Sequence, residues 1–220
     1  MREDHLFNIA KRAIFFNRYN FTCFNIAKRA IFFNRYNLTC SDTRKYVWFR
    51  VAKVCTRSIL NVLERNSEFT ENGSWIYYRR RPYKDYFRFA FVRNPWDRVV
   101  SCYEEKVIGR KLFPDCWGEN FKFFVKYICR QDLRVADRHI RLQSSLFPLR
   151  DVNFIGRFES FTEDFSYVCK KLNFPYEDHI HLNRSKHEPF HTYYDEEDVA
   201  LINQAYAIDV KNFGYKFLST

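Results

Sequence analysis

The chain has 220 residues, of which 46% are hydrophobic and 29% charged, a composition that fits one globular domain and excludes a disordered or membrane-spanning protein. Its net charge of +11 favours anionic partners, among them nucleotides, nucleic acids, acidic lipids and acidic polysaccharides, without choosing between these classes. The sequence contains neither a run of about 18 apolar residues nor a basic-then-apolar leader, so we expect no transmembrane segment and no signal peptide.

The cysteine pattern bears on the redox compartment and on metal binding. Seven cysteines are present, and no two of them form a CxxC pair. An odd number without zinc-ligand spacing predicts free thiols rather than a disulfide framework or a metal site. We therefore expect a protein of a reducing compartment, with the cytoplasm favoured over the Golgi lumen.

The first part of the chain contains a tandem duplication. Residues 7–23 and 24–40 are identical except that Phe21 in the first copy corresponds to Leu38 in the second. An odd period reverses the strand face, and in a helix it rotates the second copy by about 100°. The copies therefore cannot present the same face within one element. We predict a peripheral segment over residues 1–44, alternatively a basic amphipathic membrane-surface segment, and a folded domain over 45–220.

Two strand–turn–helix units follow the duplication. Residues 45–51 alternate between apolar and polar, which predicts a strand, and apolar residues recur at helical spacing over 59–64. Residues 86–92 predict a second strand, after which Asn94 and Pro95 form a typical helix start.

The second half of the chain continues the alternation. We predict a helix over 119–130, a strand over 152–157, a helix that begins with a capping box over 160–163, and a last helix over 195–213 closed by Gly214. Strands that alternate with helices indicate an α/β fold with a mainly parallel central sheet flanked by helices.

Two basic turns occupy the positions where α/β proteins bind ligands, beyond the carboxyl ends of parallel strands. In the first turn, Lys53 is followed by the hydroxyls of Thr56 and Ser58 at a helix start, which suits a phosphate. In the second, Arg93 stands at a strand end and could hold another phosphate with two hydrogen bonds. For the first turn the alternative is an ordinary strand–helix turn. For Arg93 the alternative is a structural ion pair.

Five segments, in order from about residue 45 to 217, resemble motifs of one enzyme family. VAKVCTRS is similar to the 5′-phosphosulfate loop P-K-x-x-x-T/S, and FVRNPWDRVVSCY matches the 3′-phosphate motif R-x-P-x-x-R-x-x-S-x-Y. The other three segments are DRHIRLQSSL, FIGRFESFTEDF, and HLNRSKH followed by YYDEEDVALINQAYAIDVKNFGYKF. The chain thus resembles the sulfotransferases of the Golgi carbohydrate type and their bacterial and viral relatives, which use 3′-phosphoadenosine 5′-phosphosulfate (PAPS).

The resemblance implies a P-loop-like sulfotransferase fold, PAPS as the donor, no metal, and an acceptor hydroxyl, by analogy on a carbohydrate. It also implies roles for particular residues. Lys53 would hold the phosphosulfate and stabilise charge on the bridging oxygen. The other implied donor-binding residues are Val54, Cys55, Thr56, Arg57 and Ser58 on the 5′ side, Arg93 and Ser101 at the 3′-phosphate, and Arg184 and Lys186 closing over the nucleotide.

The reaction also needs a base that takes the proton of the acceptor hydroxyl. His139 is the first candidate, because histidine titrates near neutrality and its segment matches the family. A histidine that binds substrate or only packs is the alternative. Glu104, Glu105 and His187 are the next candidates.

Two departures from the family pattern leave other functions open. Ala52 replaces the usual proline, and Cys55 stands where a small residue, often glycine, is common, so a side chain could crowd the approach to phosphate. A catalytically impaired protein with the same fold is therefore one alternative. A basic nucleic-acid-binding protein is another, although no nucleic-acid motif is found, and a P-loop kinase would need a GxxxxGK motif that the sequence lacks.

Overall fold

The structure, a computed structural model, describes residues 37–72, 78, 83–175 and 188–218. Most of the duplicated segment therefore lies outside the described residues, and its predicted peripheral position stays a prediction. Among the helices of the described ranges, none is long and apolar enough to cross a membrane.

Five short strands and six α-helices form the described part of the fold. The strands are β1 Leu38–Ser41, β2 Tyr46–Phe49, β3 Thr70–Asn72, β4 Phe87–Val92 and β5 Phe154–Arg157. The helices are α1 Thr56–Asn66, α2 Pro95–Cys102, α3 Phe121–Cys129, α4 Phe161–Leu172, α5 Glu196–Ala205 and α6 Ala207–Phe213, with a π-helical segment Tyr103–Gly109 directly after α2.

The strands form one sheet in the order β3-β1-β2-β4-β5. The pairs β2–β4 and β4–β5 are parallel, with Trp48 opposite Phe89 and Phe91 opposite Gly156. Strand β1 pairs antiparallel with both β2 and β3. The predicted α/β fold is confirmed, and the parallel strands β2, β4 and β5 end at one edge of the sheet, where ligands bind in such folds.

Strand β1 corrects the predicted domain boundary. It comes from the end of the second repeat copy, and its Leu38 and Cys40 are buried in the core. Leu38 pairs with Phe49 of β2. The boundary at residue 44 is therefore too late. The sequence analysis assigned these residues to the duplicated segment as a whole and overlooked the short apolar–polar alternation of Leu38–Ser41.

The predicted helix starts are confirmed at two places. The Asn94 side chain accepts a hydrogen bond from the backbone N–H of Trp96 at 3.1 Å, as expected of an N-cap. The Asp195 side chain likewise accepts from the N–H of Asp198 at 2.8 Å. The capping box at Ser160 is wrong, since the Ser160 side chain makes no capping hydrogen bond.

The last predicted helix is divided into two. Its backbone breaks at Tyr206, between α5 and α6, where φ is −103° and ψ is 21°. The buried Tyr206 hydroxyl donates to the carbonyl oxygen of Ile140 at 2.5 Å, a contact across the fold that helical periodicity does not reveal. Gly214 ends α6 with φ of 67°, as predicted.

Aromatic rings fill the space beneath β4 and β5. The ring of Phe91 lies 5.5 Å from that of Phe161 and 6.1 Å from that of Phe165, measured between centroids. On the neighbouring strand, Gly156 leaves room for this ring, because an added Cβ would lie within 2.7 Å of Phe91 ring atoms. The glycine is thus a packing requirement of this aromatic cluster.

Replacing Gly156 by alanine should therefore overpack the core. We expect the free energy of unfolding to fall by about 1–3 kcal/mol, because Phe91 is held by rings on several sides. Urea unfolding followed by circular dichroism measures the change. In a Phe91→Leu background the same substitution should lower the free energy of unfolding much less. An equal decrease in both backgrounds would show that the clash with Phe91 does not cause the destabilisation.

Candidate active site

The turn between β2 and α1 has an unusual backbone. Lys53 and Cys55 both have positive φ, at 74° and 58° respectively. Residues other than glycine rarely adopt this conformation, and when they do they often lie at functional sites. The Thr56 hydroxyl donates to the carbonyl oxygen of Val51 at 2.9 Å and closes the turn. Glycine adopts the left-handed conformation of Cys55 without steric cost, which explains why glycine is common at this position in the family that the sequence resembles.

Helix α1 begins without a side-chain cap. Cys55 makes no capping hydrogen bond, and the first turn contains no acidic residue. The first backbone N–H groups of such a helix favour an anion. Val54 and Ser58 are fully buried, which leaves half-buried Thr56 and exposed Arg57 as the side chains available beside these N–H groups.

The Lys53 side chain is only 8% exposed and forms an ion pair with Glu105, with 2.5 Å between Nζ and Oε2. The carboxylate of Glu105 also lies 3.0 Å from Lys106 Nζ, 3.5 Å from Arg110 Nε and 3.8 Å from Arg57 Nη2. Burial by itself would raise the pKa of Glu105, but the hydrogen bonds and charges of the two lysines lower it to about 2. Burial lowers the pKa of Lys53, while Glu105 opposes that shift.

Arg93, at the end of β4, connects the two basic turns. Its Nη1 donates to the carbonyl oxygen of Lys53 at 3.2 Å. Its Nε and Nη2 donate to the two oxygens of Asp97, each at 2.7 Å, and its guanidinium stacks on Phe158. Of the five N–H groups of an arginine, these bonds use three. The structural ion pair that the sequence analysis considered is therefore present, and two N–H groups remain for a further acceptor.

A buried amide holds the backbone of Arg93. Gln143 accepts from the N–H of Arg93 at 2.9 Å and donates to its carbonyl oxygen at 2.8 Å. Asp209, fully buried on α6, accepts in turn from the N–H groups of Gln143 and Ser144, at 2.6 and 2.9 Å. The sequence analysis quoted Gln143 within DRHIRLQSSL and assigned it no role, and it missed Asp209. The one available signal for Asp209 was a carboxylate on the apolar face of the last helix.

Arg98 links the first turn to the segment of the candidate base. It is buried, and its guanidinium donates to the carbonyl oxygens of Ala52, Arg138 and Arg141 at 3.1, 3.0 and 2.8 Å. Because it bridges both sides, Arg98 fixes the His139 segment relative to the Lys53 turn. The sequence analysis quoted Arg98 within the second motif and assigned it no role.

His139 forms a dyad with Asp137. Its ring Nδ1 lies 2.7 Å from Asp137 Oδ1, which also accepts from the backbone N–H of His139 at 2.9 Å. This contact favours the proton on Nδ1 and leaves Nε2 as an acceptor. Burial lowers the pKa of His139, Asp137 opposes this, and the charge of Lys106 lowers it further.

The other predicted residues differ in their surroundings. Ser101 is buried on α2, one helical turn after Asp97 and thus on the face that carries the Arg93 ion pair. Glu104 accepts a hydrogen bond from the Tyr193 hydroxyl at 3.0 Å, away from the Lys53 pair.

Three predicted residues, Arg184, Lys186 and His187, lie outside the described residues. Their roles stay predictions. Within the described ranges, no group of three or more His, Cys, Asp or Glu side chains is arranged to hold a metal ion. The six cysteines described there are free thiols.

Comparisons with known proteins identify the family of the chain. The profile of the Sulfotransferase family matches residues 36–216, which is most of the chain. A protein of Archaeoglobus fulgidus described as "Uncharacterized protein" is 32% identical over 108 residues, which cover 47% of this chain and 82% of the relative. No solved structure matches significantly. The family match begins next to β1 and includes both basic turns, and the chain belongs to the sulfotransferase family.

Proposed function

We propose that the protein transfers a sulfuryl group from PAPS to an acceptor hydroxyl, by analogy on a carbohydrate. Membership of the sulfotransferase family supports sulfuryl transfer in general, and members of that family generally use PAPS. The observation that carries the proposal for the donor is the hydrogen bond from Arg93 Nη1 to the carbonyl oxygen of Lys53. It joins two basic strand-end turns, as a nucleotide with phosphates at both ends requires.

The residues of the two turns suit the two ends of this donor. Lys53, Thr56, Arg57 and the first N–H groups of α1 would bind the 5′-phosphosulfate. Arg93, with N–H groups left beyond its bonds to Asp97, would bind the 3′-phosphate together with Ser101 on the same helix face. Hydrogen bonds between charged groups of this kind are stronger than hydrogen bonds between neutral groups.

The reaction is an in-line displacement in which positioning and electrostatics supply the catalysis. The acceptor oxygen forms a bond to sulfur, while the bond between sulfur and the bridging oxygen breaks and leaves its electron pair on that oxygen. The Lys53 ammonium stabilises this developing negative charge. Nε2 of His139 accepts the proton of the acceptor hydroxyl, and Asp137 stabilises the imidazolium that results.

The first prediction concerns binding of 3′-phosphoadenosine 5′-phosphate (PAP), the desulfated product, measured by calorimetry. Lys53→Ala and Arg93→Ala should each weaken binding by about 1–3 kcal/mol, or about 5–150-fold in Kd, because each removes a charged hydrogen-bond donor. Lys84→Ala is the matched control, since Lys84 is exposed before β4 begins, at the opposite edge of the sheet. Absence of PAP binding by the unchanged protein would overturn the donor assignment.

The second prediction concerns the dyad. His139→Asn should leave PAP affinity unchanged and reduce sulfuryl transfer by about 10²–10⁴-fold, the usual contribution of a general base. Transfer is measured with labelled PAPS and a panel of glycans. An equal loss of PAP affinity would show that His139 acts in donor binding or folding instead.

The pH dependence of the dyad provides a third test. Since burial lowers the pKa of His139 below 6.5, the imidazole is neutral and able to accept a proton at pH 7, and protonates only as the pH falls through the lowered pKa. Asp137→Asn removes a charge that raises this pKa, so the titration should move to still lower pH. NMR titration of the ring measures both values, and a shift to higher pH in the variant would contradict the dyad.

A further inference from the structure

The carboxylate of Glu105 lies within 4 Å of four cationic groups, those of Lys53, Arg57, Lys106 and Arg110. Lys53 and Arg57 belong to the turn that the proposed function assigns to the donor, and the other two lie on or directly after the π-helical segment. The negative charge beside these four cations thus comes from the chain itself.

The exposure of Lys53 and Glu105 indicates which of the two side chains an incoming anion can displace. The Lys53 side chain is 8% exposed, whereas that of Glu105 is 38% exposed. A carboxylate at the rim can turn into solvent and be hydrated, but the lysine beneath it cannot leave without losing its packing. An anion that arrives from outside would therefore replace Glu105 as the partner of the buried ammonium.

The backbone that carries Glu105 is suited to such a displacement. Glu105 lies in the π-helical segment Tyr103–Gly109, and its carbonyl oxygen accepts from the N–H of Arg110, five residues on, at 3.0 Å. Segments of this kind contain one extra residue per turn, and they often occur at functional sites. The position of Glu105 in such a segment supports a functional role for its contact with Lys53.

We propose that Glu105 is an internal competitor for the anion site, and that the sulfated end of the donor displaces it from Lys53. The identity of the displacing ligand rests on the proposed function, whereas the competition rests on the contacts of Glu105 with the four cationic groups. The ion pair with Glu105 holds the Lys53 side chain in place until an anion replaces it. After transfer, its return to Lys53 opposes retention of the desulfated product.

The test compares Glu105→Gln with Glu64→Gln, which removes the same charge from an exposed position on α1, about 12 Å along the helix from its first residue. Calorimetry measures the binding of PAP and, separately, of inorganic pyrophosphate, a simple mimic of the phosphosulfate. Glu105→Gln should tighten the binding of both by about threefold or more, since a neutral amide competes less well for cations. Glu64→Gln should change neither by more than about twofold.

The two ligands separate this proposal from the proposed function. If PAP binds to none of the proteins but pyrophosphate binds more tightly to Glu105→Gln alone, the internal competitor stands and the donor assignment fails. If PAP binds to the unchanged protein and Glu105→Gln leaves both affinities equal or weaker, the competitor is overturned and the donor assignment stands. Thermal unfolding with and without each ligand verifies that Glu105→Gln is folded, because a ligand that binds the native state raises its Tm.

Discussion

The arrangement of the site depends on the position of one buried arginine. The Arg93 side chain donates to the carbonyl oxygen of Lys53 and to Asp97. The Gln143 side chain accepts from the backbone N–H of Arg93 and donates to the carbonyl oxygen of Arg93. Asp209 in turn holds the backbone of Gln143. Through these bonds the end of β4 determines where the first basic turn lies, and helix α6, more than a hundred residues later, supports both turns.

A large part of the positive charge at this edge of the sheet is structural. Arg98 is buried and gives its hydrogen bonds to three carbonyl oxygens, and Arg93 is buried with Asp97 as its partner. Removing one partner of a buried charge typically costs about 3–5 kcal/mol, so these groups are constrained by the fold itself. The net charge of +11 therefore overstates the charge that is available to a ligand. Besides exposed groups such as Arg57, a ligand would use the Lys53 ammonium and the N–H groups of Arg93 that its bonds to Asp97 and Lys53 leave over.

The sequence predicted the features that depend on neighbouring residues. The alternation around β2 and β4 and the Asn94–Pro95 helix start were correct, and they placed Lys53 and Arg93 at the proper edge of the sheet. It could not predict what depends on distant contacts. The break at Tyr206 accompanies a bond to Ile140, 66 residues away, and Lys53 meets Glu105 across 52 residues, so neither leaves a periodic signal.

The ion pair between Lys53 and Glu105 also opposes the effect of burial on the pKa of Lys53. Burial lowers the pKa of Lys53, whereas the hydrogen bond and the charge of Glu105 raise it, so this negative charge favours the ammonium that charge stabilisation needs. An anionic donor that displaces Glu105 supplies the same charge, so the ammonium stays protonated throughout the exchange. Glu105 thus weakens donor binding by competing for Lys53, and it also favours the protonated form of Lys53 that binds the donor.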